Sequence, residues 1–405
     1  MSRIRWLPAC ALLLSACAPV RSAAPLHDFI VIGNSDGLAA VDFTTARQAY
    51  ASTAAVASAD WSSLFVANAG QLERLDAHTG AVLDRRDVPA GMQPVAVSTD
   101  GMRVALAPPE EASTWPPVGR ETSRMAVADT WSKAPPRVFE LKGNYEPDAF
   151  STDDSTLFVL EYQPAQAPDR YFVRRLDLRT GAVSGVGSRS KQALPEENMR
   201  GTRHQHILSP DHKTLYTLYT NQPDHLHSRD LAAGLTQSTG NVYAFVHVLS
   251  LSDGWAFCLD LPQPLGMGPA GAHALAISPD GRWLFVADRS SGAVVVADAE
   301  QLYIRGTTNI GADPNFVDHV AATVGPDDTL FLSGSADIMA LNPRSLAVQQ
   351  RIPVPSTPVG LGISSDGKRL FLATSDALYA LDSHNGTVLG HVPATGALAI
   401  AHVNP

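Results

Sequence analysis

The chain has 405 residues, 45% of them hydrophobic and 17% charged, with 30 glycines and 29 prolines, the profile of a folded globular protein. Disorder, a collagen repeat and a disulfide scaffold are excluded, the last by the presence of only three cysteines. A formal charge of −10 with no Lys/Arg cluster gives no electrostatic footprint for a phosphate backbone, so nucleic acid is not an expected partner.

The N-terminus reads as a targeting segment. Arg3 and Arg5 precede an apolar stretch from Trp6 to Leu14 that is too short to span a bilayer. Leu14-Ser15-Ala16-Cys17 then follows, similar to the lipobox of bacterial lipoproteins. The resemblance implies residues 1–16 as a signal peptide, Cys17 as the lipidated residue, 17–27 as a linker, and an extracytoplasmic protein held to the membrane by its N-terminal lipid (palmitate among the acyl chains). The alternative is an ordinary secreted protein cut after Ala23. Cys258, inside the run Trp255–Leu259, would be the one cysteine left in the folded body, where it reads as a buried strand residue.

From residue 28 to 405 the chain repeats itself. The best-preserved unit is HALAISPDGRWLFVAD, residues 273–288: an apolar run, an Asp-containing turn and a Leu-Phe strand. Turn aspartates recur at Asp60, Asp100, Asp153, Asp211, Asp280, Asp327 and Asp366, about 40 to 70 residues apart. A third strand ends in a polar turn, as in Leu75-Asp76-Ala77-His78-Thr79-Gly80 and Leu381-Asp382-Ser383-His384-Asn385-Gly386, and a fourth completes the unit. Four short antiparallel strands at this period predict an all-β fold, a single β-propeller. Residues 29–33 and 38–42 match second and third strands with no first strand before them, whereas 396–402 match a first strand and then stop. One composite blade made from both chain ends closes the ring and removes its exposed edges. The count is eight blades. Seven is the alternative, because the irregular stretches around 107–145 and 185–203 leave room for a wrongly divided unit.

These repeats resemble the YVTN-type and lactonase-like β-propellers of bacteria, with Leu284-Phe285-Val286-Ala287-Asp288 and Leu64-Phe65-Val66-Ala67-Asn68 in place of that family's Tyr-Val-Thr-Asn-like strand. The resemblance implies the fold and no particular reaction, since such proteins include binding scaffolds and lactone hydrolases.

Aligned on their Leu-Phe pairs, the units place Thr53, Gln93, Glu146, His204, His273, His319, Val359 and Gly396 at the start of the innermost strands. Innermost strands line a propeller's channel, so Glu146, His204, His273 and His319 are expected to converge on its mouth, with His206 facing the same way by strand alternation. Three imidazoles and a carboxylate suit a divalent transition metal such as Zn, Fe, Cu or Mn. A metal-free ligand site, or polar lining with the glutamate paired to Arg203, stays open beside it. Long insertions at 108–124, 163–170, 188–202 and 222–241 fall on one face, as for a rim that covers a ligand. His225 and His227 in the last of them read as a solvated rim pair, and Trp131 and Trp255 as blade packing. Arg203, His206, Gln93, His225 and His227 are the candidate ligand contacts.

Three functions remain: a lipid-anchored module binding a small molecule or an envelope protein, a metal-dependent hydrolase, lyase or oxidase using the three-His/one-Glu ring, or a structural envelope component. The binding module is the working expectation.

Overall fold

The computed structural model describes residues 29–404 except 35–36, 54, 110–116, 192–195, 197, 223–225, 237–241 and 314–318. The expected signal segment 1–16, Cys17 and His225 lie outside the described residues. Eight antiparallel sheets form the ring. Blade 1 is composite: Ala397–Asn404 is its innermost strand, paired to Phe29–Asn34, with Gly37–Asp42 and Arg47–Thr53 outside. The innermost strands of blades 2 to 8 are Val56–Ala57, Gln93–Val97, Asn144–Phe150, Thr202–Leu208, His273–Ile277, Ala322–Val324 and Gly360–Ile363. Blade 5 carries a fifth, parallel strand, Gly187–Ser188, on its outer edge. The eight-blade count and the closure by both chain ends are as the sequence implies.

The repeating turn has a clear physical basis. In six blades a serine hydroxyl (Ser58, Ser98, Ser151, Ser209, Ser278, Ser364) donates to the aspartate two residues on, at 2.6–2.7 Å. The same hydroxyl accepts the backbone N–H five residues on, which opens the second strand. In blade 7 Gly325 replaces the serine, and Asp327 alone holds Thr329. These bonds hold Asp60, Asp153, Asp211, Asp280 and Asp366 below the usual carboxylate range, led in each by the serine hydroxyl.

Between blades the faces interdigitate. Leu218, Val246 and Val248 of blade 5 pack on Leu284, Val286 and Val295 of blade 6, and Phe331 and Ile338 of blade 7 meet Leu361 and Leu370 of blade 8. Each such side chain contributes about 1.5–3 kcal/mol by leaving water. The sequence reading of Trp131 as packing is corrected: it is 71% exposed. No helix of the described residues is long and apolar enough to cross a membrane.

The innermost strands differ in one respect that matters for the channel. Those of blades 1, 3, 4 and 5 carry β-bulges against the second strand, at Leu398 and Ala401, Val95, Asp148 and His204 respectively, whereas those of blades 2, 6, 7 and 8 pair in unbroken register. A bulge re-aims the side chains that follow it.

Candidate functional site

Innermost strands begin at the upper mouth of the channel, where the long connections lie, and end at the lower mouth, at the aspartate turns. An innermost strand presents its unpaired backbone edge to the lumen and sends its side chains alternately toward the two neighbouring blades. The fate of each candidate residue follows from this.

At the upper mouth Glu146 accepts from Tyr162 Oη at 2.7 Å and from Arg120 Nη2 at 3.3 Å. Its arginine partner is therefore Arg120, from the long connection of blade 3, in place of Arg203. Burial and the Glu146 charge push the Tyr162 hydroxyl well above its ordinary pKa. Arg120 N–H donates to Ala165 O, while Asn144 Nδ2 donates to Val118 O and Ala165 O, so the connections of blades 3 and 4 are tied together over Glu146.

The imidazoles do not gather. His204 Nε2–H donates to His273 O at 2.8 Å, and Gln205 Oε1 accepts Leu275 N–H at 2.8 Å, so two blade 5 side chains cap the free edge of blade 6. Burial lowers the His204 pKa. His273 is fully buried: its Nε2 accepts Gly266 N–H at 2.9 Å, which leaves the proton on Nδ1 to be donated to Pro269 O at 3.0 Å. Its ring thus staples the connection between blades 5 and 6. His319 is exposed and precedes the strand Ala322–Val324 instead of opening it. Among the described residues no group of three or more His, Cys, Asp or Glu is placed to hold a metal ion. The expected Glu146/His204/His273/His319 ring does not form in this arrangement because His273 and His204 spend ring nitrogens on backbone groups.

Other candidates are placed as follows. Gln93 is half-buried at the start of blade 3's innermost strand. His227, expected to be a solvated rim residue, is buried, with Nδ1 against Asp260 Oδ1. Arg203 Nη2 pairs with Asp148 Oδ1 at 2.7 Å, across blades 5 and 4. His206 does not share a face with His204, because the bulge at His204 inserts one residue between them. His206 borders the lumen beside Asp148, and no protein hydrogen bond to its ring is present among the described residues. Enclosure among the surrounding strands of the lumen, and then the Arg203 charge, lower its pKa, although the ring keeps an exposed edge on the lumen.

Below this level lies a cavity of about 560 Å³, walled by Val56, Trp61, Val97, Phe150 and Leu208, with Asp148 and His206 among its polar members beside Ser58, Thr99, Ser209 and His212. A second cavity of about 340 Å³ follows the lumen past Leu275, Thr323, Gly362 and Val403.

Sequence reasoning missed Arg120, Tyr162, Asp148 and Asp260. Only Asp148 left a signal: Glu146-Pro147-Asp148 repeats the Gln93-Pro94 pattern, and proline inside a strand marks an edge or a bulge.

No family model matches the chain, and no curated protein is similar to it in sequence. Solved structures share its architecture. Dihydro-heme d1 dehydrogenase NirN in complex with DHE aligns with a TM-score of 0.52 at 14% identity, covering 94% of this chain and 76% of that one. The Dos1 propeller aligns with a TM-score of 0.50 at 12% identity, covering 93% and 95%. The periplasmic gluconolactonase PpgL of Pseudomonas aeruginosa aligns with a TM-score of 0.43 at 17% identity, covering 93% and 98%. At these identities the likeness establishes the propeller fold and nothing about the reaction.

Proposed function

We propose that the protein is a lipid-anchored, extracytoplasmic binding module that engages a small molecule or an envelope protein through the loop-rich upper face. The observation that carries this reading is the clasp over Glu146, where Arg120 and Asn144 knit the connections of blades 3 and 4 into a fixed rim. Long connections held this firmly form a preorganised recognition surface, whereas blades 6 to 8 have connections of ordinary length. The lipobox-like Leu14–Cys17 segment supports the anchor.

Photo-crosslinking in intact cells tests the face. A photoreactive residue at Gln166, exposed in the clasp, should give discrete adducts, read as new bands or as mass increments on the chain, whereas one at Leu389, exposed on the outer strand of blade 8, should not. Equal labelling at the two positions, or none at Gln166, contradicts the reading. In the same cells Cys17→Ser should move the protein from the membrane to the soluble fraction.

A further inference from the structure

The lower lumen holds a cavity separate from the upper face. Its cavity of about 560 Å³ lies within the range of about 300–1,000 Å³ typical of small-molecule pockets. Its walls come from the innermost strands and aspartate turns of blades 1 to 5, and they include three of the five bulge residues, Val95, Asp148 and Ala401. Four of the five blades that wall this space are bulged, blade 2 being the exception, and none of blades 6 to 8 is, as expected where side chains must be re-aimed toward a ligand.

The polar end has a definite chemistry. Asp148 is neutralised by Arg203 at 2.7 Å, so the pair presents no net charge. His206 lies beside the pair, and its neutral ring offers one donor and one acceptor, neither used among the described residues. A hydroxyl, which both donates and accepts, is the complementary head group. A carboxylate or an ammonium would lose its hydration without meeting an uncompensated opposite charge, which is costly. Most of the other wall side chains are aliphatic or aromatic; of the polar ones, Ser58 and Ser209 already bond within their turns, and Thr99 and His212 are the others.

We infer that the lower lumen is a binding site for an uncharged amphipathic small molecule, with its hydroxyl on His206 beside the Asp148–Arg203 pair and its apolar body against Val56, Trp61, Val97 and Phe150.

The test is a fluorescence titration of the full chain, carrying Cys17→Ser so that no detergent competes, with 2-naphthylmethanol and its charged counterparts 2-naphthoate and 2-naphthylmethylammonium. The alcohol should bind saturably at one equivalent per chain, and at least about tenfold more tightly than either ion. Ala401 is exposed to the lumen, so Ala401→Trp fills the cavity without disturbing the packed blades, and should weaken the alcohol at least about tenfold while the melting temperature stays unchanged. His206→Leu should weaken the alcohol about three- to tenfold, the loss of one hydrogen bond. Arg120→Ala, at the opposite mouth, should bind it as the parent does, which keeps this site distinct from the upper face. Absence of saturable binding, equal affinity for the ions, or unchanged affinity in Ala401→Trp or in His206→Leu overturns the assignment.

Discussion

Two sides of one ring, built from the same repeat, treat their innermost histidines in opposite ways. In blade 6 the strand pairs in unbroken register, and its single imidazole, His273, is fully buried with both ring nitrogens bonded to the connection that precedes it. In blade 5 the strand is bulged at His204, and His206 beyond it borders open lumen with neither nitrogen used among the described residues. Residue type alone therefore does not decide whether a propeller histidine is structural. Local register does, because one inserted residue exchanges the faces on which the following side chains stand.

The comparison is most sharply broken by deletion. His273→Ala removes a fully buried ring and strands Gly266 N–H and Pro269 O, and should cost about 3 kcal/mol, whereas His206→Ala should stay within about 0.5 kcal/mol. Urea denaturation of both variants checks this. Equal losses would mean that the two rings are alike.

A second contrast is titration. Burial lowers the pKa of His204, and lowers His247 and His402 to about 4. The unfolded chain protonates these rings near its ordinary value of about 6.5, but the folded chain does so only at lower pH. Their contribution is therefore complete above pH 6.5 and lost as pH falls toward 4. Replacing His247, whose Nε2 is buried without a hydrogen bond, by Phe should flatten that slope in melts between pH 7.5 and 5. An unaltered slope would assign the acid sensitivity elsewhere.

A smaller effect of opposite sign belongs to the lower turns. Burial, and then the Asp100 charge, push the Asp154 carboxyl up to about 6 in a residue whose φ is +58°. Here the folded state binds the extra proton, so its stability declines as pH rises from about 4 through 6. Asp154→Asn keeps a side chain that tolerates this φ and removes the charge, and should stabilise by about 1 kcal/mol at pH 8, after discounting for solvent, with no gain below pH 4. The smallest expected effect is that of metal. Addition of Zn²⁺, Fe²⁺, Cu²⁺ or Mn²⁺ should leave the melting temperature within about 1 °C, because the His204 and His273 rings are already committed. A larger rise that disappears in the double variant His204→Ala/His273→Ala would restore the metal ring.

The architecture was open to sequence reasoning because its cause is local and repeated. Ser-x-Asp turns, Leu-Phe strands and Asp-capped third turns such as that at Asp382 each write their hydrogen bonds into a few consecutive residues. Even the closing strand declared itself as a first strand without successors. The site was less open, because its causes are not local. The bulge at His204 leaves no mark in the residues around it, and the groups that occupy His273 come from a connection whose path the repeat does not specify. Arg120 and Tyr162 reach Glu146 from another blade and another strand, so an alignment of repeat positions could find the glutamate but not its partners.

Histidine side-chain NMR during addition of 2-naphthylmethanol tests the central claim most directly, since it reads both kinds of imidazole in one sample. The resonances of His206 should shift to saturation with the probe while those of His273 stay fixed. Movement of His273 with an unmoved His206, or no movement of either, would contradict the division of the ring into a stapled side and an open one.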